Sequence, residues 1–166
     1  MPNYSDETIA DALDGIQRRR YVLPAIQREF VWGTDRICAL FDSLMRDYPI
    51  SSLLYWSVGK ENADKYRWYD FVLNYHELES PGCPPHEDLP PEDRIAVLDG
   101  QQRLTALNIG LRGSHAARAK YRRIGRPQSY PKKHLYLDIH AEPRLSEDRY
   151  EDQVYRFEFL EPDRAA

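Results

Sequence analysis

The sequence predicts an α/β fold, and three observations carry that reading. A short apolar run at residues 95–98 ends on Asp99-Gly100 and passes directly into a helix-period pattern, with Leu104, Leu107 and Leu111 at i, i+3 and i+7. Residues 35–47 carry Ile37, Leu40, Phe41, Leu44 and Met45, a continuous apolar stripe on one helical face. Residues 154–160 alternate, so that Tyr155, Phe157 and Phe159 share one face of a strand. The chain of 166 residues is 42% apolar, enough for one domain with its own core, and residues 1–166 read as a single unit.

Taken in order, residues 5–19 predict a first helix. Ser5 is a suitable N-cap, Asp6 and Glu7 complement the positive helix end, and Ile9, Leu13 and Ile16 form its stripe. Residues 21–23 suit a short strand. Pro24 removes a donor and marks a sheet edge or a strand end. Ile26, Phe30, Val31 and Trp32 then enclose a polar pair, Gln27-Arg28, and are expected to anchor its loop. Thr34 caps the second helix, where Met45 is expected as core filler. Residues 51–58 predict a buried strand and residues 65–74 another with mixed faces. The Pro- and acid-rich residues 79–94 predict a loop, with His86 solvated. Beyond the motif helix, Gly110 and Gly113 suggest a break, residues 116–123 a short helix, and residues 134–139 a strand. The chain stops within six residues of its clearest strand, which suggests a piece of something longer.

The strand-to-helix junction at Asp99-Gly100-Gln101-Gln102-Arg103 is the first candidate site. Glycine turns the backbone at no steric cost, and free amides converge with the positive end of the helix dipole just beyond it. The residue types suit a phosphate or nucleotide. Asp99 suits Mg²⁺ or an oriented water, Gln101 and Gln102 both donate and accept, and Arg103 grips phosphate bidentately. An ordinary Asp-Gly turn followed by an exposed helical turn fits the same residues. The second Gln-Arg pair, Gln27-Arg28, adds weight if the fold brings both pairs to one pocket.

Charge is distributed unevenly. Residues 100–137 contain nine basic and no acidic residues, while the remainder carries 14 basic and 27 acidic, a net −13. Such a chain does not coat nucleic acid over its whole surface. One local polyanion site around Arg118, Lys120, Arg122 and Arg123 fits, as does a merely solvated basic face. Cys38 and Cys83 show neither a disulfide framework nor metal-ligand spacing, the longest apolar run is far short of a membrane span, and the N-terminus lacks a signal-peptide layout. A reducing, cytoplasmic setting is expected.

Leu23-Pro24-Ala25-Ile26-Gln27-Arg28-Glu29-Phe30-Val31-Trp32, Asp42-Ser43-Leu44 with Tyr48-Pro49-Ile50, and Asp99-Gly100-Gln101-Gln102-Arg103-Leu104-Thr105, in that order and spacing, resemble one family. It is the N-terminal domain of GmrSD-type, modification-dependent restriction endonucleases, within the ParB/sulfiredoxin-like superfamily. The resemblance runs from about residue 6 to 160. It implies a compact α/β (α+β) fold, a small mixed sheet with packed helices. It also implies nucleoside triphosphate binding and hydrolysis (GTP, ATP or CTP, with Mg²⁺) at the Asp-Gly-Gln-Gln-Arg segment, and the Pro-x-x-Gln-Arg loop close to that site. Members act in anti-phage defence on DNA, often modified, together with an HNH-type nuclease domain or subunit. Two positions depart from the family's habit. Ile26 stands where an aromatic residue is common, which weakens a base-stacking role, and Asp47 stands where glycine is common. No His/Asn/His nuclease constellation is present, so cutting is not expected from this chain.

With that resemblance, the chemistry of the side chains sets an expected role for each residue of the site. Asp99 holds Mg²⁺ or positions the attacking water, Gly100 and the following amides cradle phosphates, and Gln101 and Gln102 orient water or nucleotide. Arg103 and Arg28, supported by Gln27, offset phosphate charge. The alternative is a non-catalytic module that senses modified DNA through the basic segment.

Overall fold

The computed structural model describes residues 6–25, 29–86, 92–145 and 152–164. Four strands form its central sheet: β1 (Tyr21–Pro24), β2 (Leu54–Val58), β3 (Trp68–Tyr69) and β5 (Arg94–Asp99). Their order across the sheet is β2-β5-β1-β3. β1 and β5 are parallel, with Tyr21 opposite Ile95, and β2 and β3 run antiparallel to their neighbours. The mixed sheet and its helices make this an α+β fold. Two further pairs complete the strands. Parallel β4 (Asn74–His76) joins β6 (Ser114–Ala116), and antiparallel β7 (His134–Asp138) joins β8 (Arg156–Leu160).

The helices are α1 (Ile9–Gln17), α2 (Thr34–Met45), the single-turn α3 (Lys60–Ala63) and α4 (Gln101–Arg112). Alternation along β1 and β5 sends Tyr21, Leu23 and Val97 into a core shared with Leu13, Ile37, Phe41, Leu104 and Leu107 of α1, α2 and α4. Val22 and Ala96 face the other way, into a small second cluster with Val58 and Trp68. α2 and α4 approach closely because Gly110 has no side chain: a Cβ there would lie 2.5 Å from the Phe41 ring. The β7–β8 hairpin rests on α2, where Phe41 meets Phe157 at 5.5 Å.

Several expectations shift for identifiable reasons. Thr8, not Ser5, caps α1, accepting from the Asp11 amide at 3.1 Å; Ser5 lies outside the described residues. Gly33 is the N-cap of α2, and Met45 and Leu111 are exposed rather than core. β1 is interior, so Pro24 marks a strand end and not an edge. The expected strand at 51–58 starts only at Leu54 and is mostly exposed. The one expected at 65–74 survives as β3 and the first residue of β4, with buried Phe71 and Val72 between them. No helix forms over residues 116–123, which continue from β6 into an exposed loop. His86 is not solvated: its side chain is fully buried, with Nδ1 on Asp70 Oδ1.

Candidate functional site

β5 and β1 are neighbours and parallel, so both end at the same side of the sheet. The segment after β5 and the segment after β1 therefore emerge side by side, where α/β sheets commonly bind ligands. Gly100 makes the first turn possible. Its φ is +86°, in the left-handed region, and a Cβ would lie 2.1 Å from Leu53 Cδ2. It is also the N-cap of α4 and supplies no side-chain cap, and the first helical bond is Leu104 N–H to the Gly100 carbonyl at 2.9 Å. The α4 amides ahead of Leu104 are the unsatisfied donors that any helix start leaves open.

The five motif side chains divide by what they touch. Asp99 is open to solvent, 72% exposed, with its Oδ2 3.6 Å from an Arg103 amino nitrogen. Arg103 is 16% exposed and clasps the chain after α2, donating to the Ile50 carbonyl and, at 2.8 Å, to the Ser52 carbonyl. Gln101 donates back to the Val97 carbonyl at 2.7 Å. Gln102 reaches the loop after β1 with both ends of its amide. Its Nε2 donates to the Glu29 carbonyl at 2.8 Å, and its Oε1 accepts from the Val31 amide at 3.1 Å. Gln27 and Arg28 lie outside the described residues; Glu29, the next residue, is held directly by Gln102.

A cavity of about 820 Å³ opens beside this junction, lined by Asp99, Arg103, Ser51, Ser52, Tyr55 and Glu7 among others. Glu7, expected from the sequence only to complement the start of α1, fixes one wall, accepting from the Tyr21 hydroxyl and, at 2.8 Å, from the Tyr55 hydroxyl. Burial first and the Glu7 carboxylate second push the Tyr21 hydroxyl up to about 12, and raise that of Tyr55 as well. Both phenols are therefore neutral donors at neutral pH. Among the described residues no group of three His, Cys, Asp or Glu side chains could hold a metal. A cation here would rest on Asp99 and on its ligand's own oxygens, a donor set that suits Mg²⁺, which keeps several waters and takes one or two carboxylates.

A larger cavity, about 930 Å³, lies elsewhere, between α1, the 70–84 segment and the far end of α4. Size does not make it the better site. Its Arg112 is committed to α1, at 2.8 Å from the Leu13 carbonyl and 2.5 Å from Asp14. Burial raises its Cys83 thiol to about 11, far from a reactive thiolate. Asp70 there pairs with His86 and, at 3.5 Å, with Arg19.

Arg118, Lys120, Arg122 and Arg123 are not part of the α4 start. They lie on the exposed loop after β6, beyond the opposite end of α4, which spans about 18 Å. Sequence reasoning also missed Asp42. It is 5% exposed and accepts from the Val154 and Tyr155 amides at 3.1 and 2.7 Å, with Arg46 at 3.4 Å. Its place in the Asp42-Ser43-Leu44 block was the available signal.

Among curated proteins none matches the chain closely enough to count as a relative. A family model described as "GmrSD restriction endonuclease, N-terminal domain" matches residues 9–164.

Proposed function

The chain belongs to the family of GmrSD restriction endonuclease N-terminal domains, and from that premise we propose that it binds and hydrolyses a nucleoside triphosphate at the start of α4. It is part of a restriction endonuclease system, which acts on DNA. On this reading it is the regulatory part, in the cytoplasm, and an HNH-type nuclease domain or subunit does the cutting. A place in the ParB/sulfiredoxin-like superfamily belongs to the same proposal.

The observation that carries it is the open Asp99 carboxylate, on a left-handed glycine turn, at the mouth of an 820 Å³ cavity and at the positive end of α4. The first α4 amides donate to phosphate oxygens. Arg103 has five N–H donors and spends two on the Ile50 and Ser52 carbonyls, so it still has donors for a phosphate while the clasp holds it still. Asp99 holds Mg²⁺ or orients the attacking water. Mg²⁺, when bound, supplies neutralisation of the phosphate charge that redistributes during transfer. Gln102 braces the loop that carries Gln27 and Arg28, which makes it a positioning residue, and Gln101 braces the strand end behind it.

The test is turnover of GTP, ATP and CTP with Mg²⁺, with and without DNA. Asp99→Ala abolishes turnover and leaves the unfolding curve unchanged, because the side chain is 72% exposed. Wild-type protein that turns over no triphosphate under any of these conditions overturns the proposal. The rival reading, a non-catalytic sensor of modified DNA, draws on the cation-rich loop after β6 and expects no Mg²⁺-dependent turnover.

A further inference from the structure

The loop after β6 has a fixed neck and an open tip. At the neck, the Ala119 amide donates to the Ser129 carbonyl at 2.8 Å and the Arg118 amide to Glu77 Oε2 at 2.6 Å. Ser129 and Tyr130 are buried at its base, with Tyr130 against the His76 ring at 5.1 Å. Beyond the neck, residues 120–128 are all exposed.

The tip is chemically unusual. Arg118, Lys120, Arg122, Arg123 and Arg126 crowd into nine residues. Among the described residues none of the five takes part in an ion pair. Between them stand Tyr121, fully exposed at φ 64°, and Ile124, 71% exposed. A left-handed backbone is uncommon for an aromatic residue and carries a strain cost. Outside residues 100–137 the chain carries a net −13, so a polyanion is repelled elsewhere and steered to this end. The shape narrows the partner. A convex tip with an aromatic and an aliphatic side chain among cations fits into a groove. With Tyr121 as the one aromatic within residues 118–126, it lacks the successive aromatics that stack a single strand.

We propose that the 118–126 loop docks into a groove of duplex DNA, its cations on flanking phosphates and Tyr121 with Ile124 wedged against the base steps. The inference does not depend on triphosphate hydrolysis, and its test contains no nucleotide. The full chain is titrated against a fluorescently labelled duplex over a series of salt concentrations. Removing one cation from a phosphate lowers the slope of log affinity against log salt by about 0.9, so Arg122→Ala/Arg123→Ala reduces it by about 1.8. Tyr121→Ala keeps the slope and weakens binding about tenfold, within the range of lost base stacking. Lys60→Ala/Arg67→Ala, an exposed pair with the same charge change on another part of the surface, leaves both quantities unchanged. Three results overturn the proposal: equal effects of the two double variants, no effect of Tyr121→Ala, or tighter binding of the matching single strand with the same dependence on Tyr121. Because all these side chains are exposed, circular dichroism of each variant should match the parent.

Discussion

Arg103→Ala separates the two duties assigned to this guanidinium. Its hydrogen bonds to the Ile50 and Ser52 carbonyls fix the segment between α2 and β2 against α4. A hydrogen bond to a charged group contributes about 1.5–3 kcal/mol. Ser51 and Ser52 are exposed and Ile50 is half-buried, so the released carbonyls regain water and the net contribution falls to about 1 kcal/mol each. The Asp99 pair adds little, because Asp99 is largely in solvent. The expected loss is about 2 kcal/mol, or a fall of about 4–8 °C in melting temperature for a chain of this size. Arg103→Lys retains the charge but cannot fork to both carbonyls, and recovers about half the loss. Urea unfolding reads both variants directly: the midpoint drops by about 1 M in Arg103→Ala and about half of that in Arg103→Lys, with the m-value unchanged. An unchanged midpoint in Arg103→Ala would refute the clasp and leave Arg103 as a free phosphate ligand alone.

Three other outcomes follow from the same geometry. Asp42→Ala strands the Val154 and Tyr155 amides and takes the carboxylate from Arg46, which keeps the Asp152 carbonyl and the Tyr48 hydroxyl, and should cost about 3 kcal/mol in chemical unfolding, whereas Asp42→Asn keeps the acceptor oxygen and costs less. Gly100→Ala meets both the left-handed φ and the Leu53 side chain, so it should destabilise by about 2–3 kcal/mol; a double-mutant cycle with Leu53→Ala should return the steric share and leave about 1 kcal/mol of backbone strain. Burial holds the His115 imidazole below its ordinary 6.5, with the Trp32 backbone and Glu77 pulling partly the other way. The unfolded chain therefore takes up that proton first, so the stabilising contribution is complete above about 6.5 and drains away as pH falls. Melting temperature should drop between about pH 7 and 5, and less steeply in His115→Gln.

The strand, turn and helix from 95 to 112 were legible because the apolar period changes from strand to helix across one glycine. The partners of that junction were not. Gln101, Gln102 and Arg103 all spend donors on backbone carbonyls, at Val97, Glu29, Ile50 and Ser52, and a carbonyl has no sequence signature. The late start of β2 has the same origin, since Ser51 adopts φ 70° while the carbonyls on either side of it turn to Arg103. Ala116-Ala117-Arg118-Ala119-Lys120 favours a helix by propensity, yet it offers no apolar stripe to bury, and short helices need one. His86 looked solvated among prolines and acids because its partner, Asp70, is 16 residues away. Gln27 and Arg28 lie outside the described residues, and the residues that follow them meet α4 through Gln102.

The tie from Asp42 to Val154 and Tyr155 also sets an order of events during synthesis. The carboxylate leaves the ribosome 112 residues ahead of its first amide partner. At about 5–20 residues per second it waits roughly 6 to 22 seconds. Through that interval the Asp42 carboxylate on α2 has Arg46 but neither of its amide partners, so the tie from α2 to residues 154 and 155 forms only after both have left the ribosome.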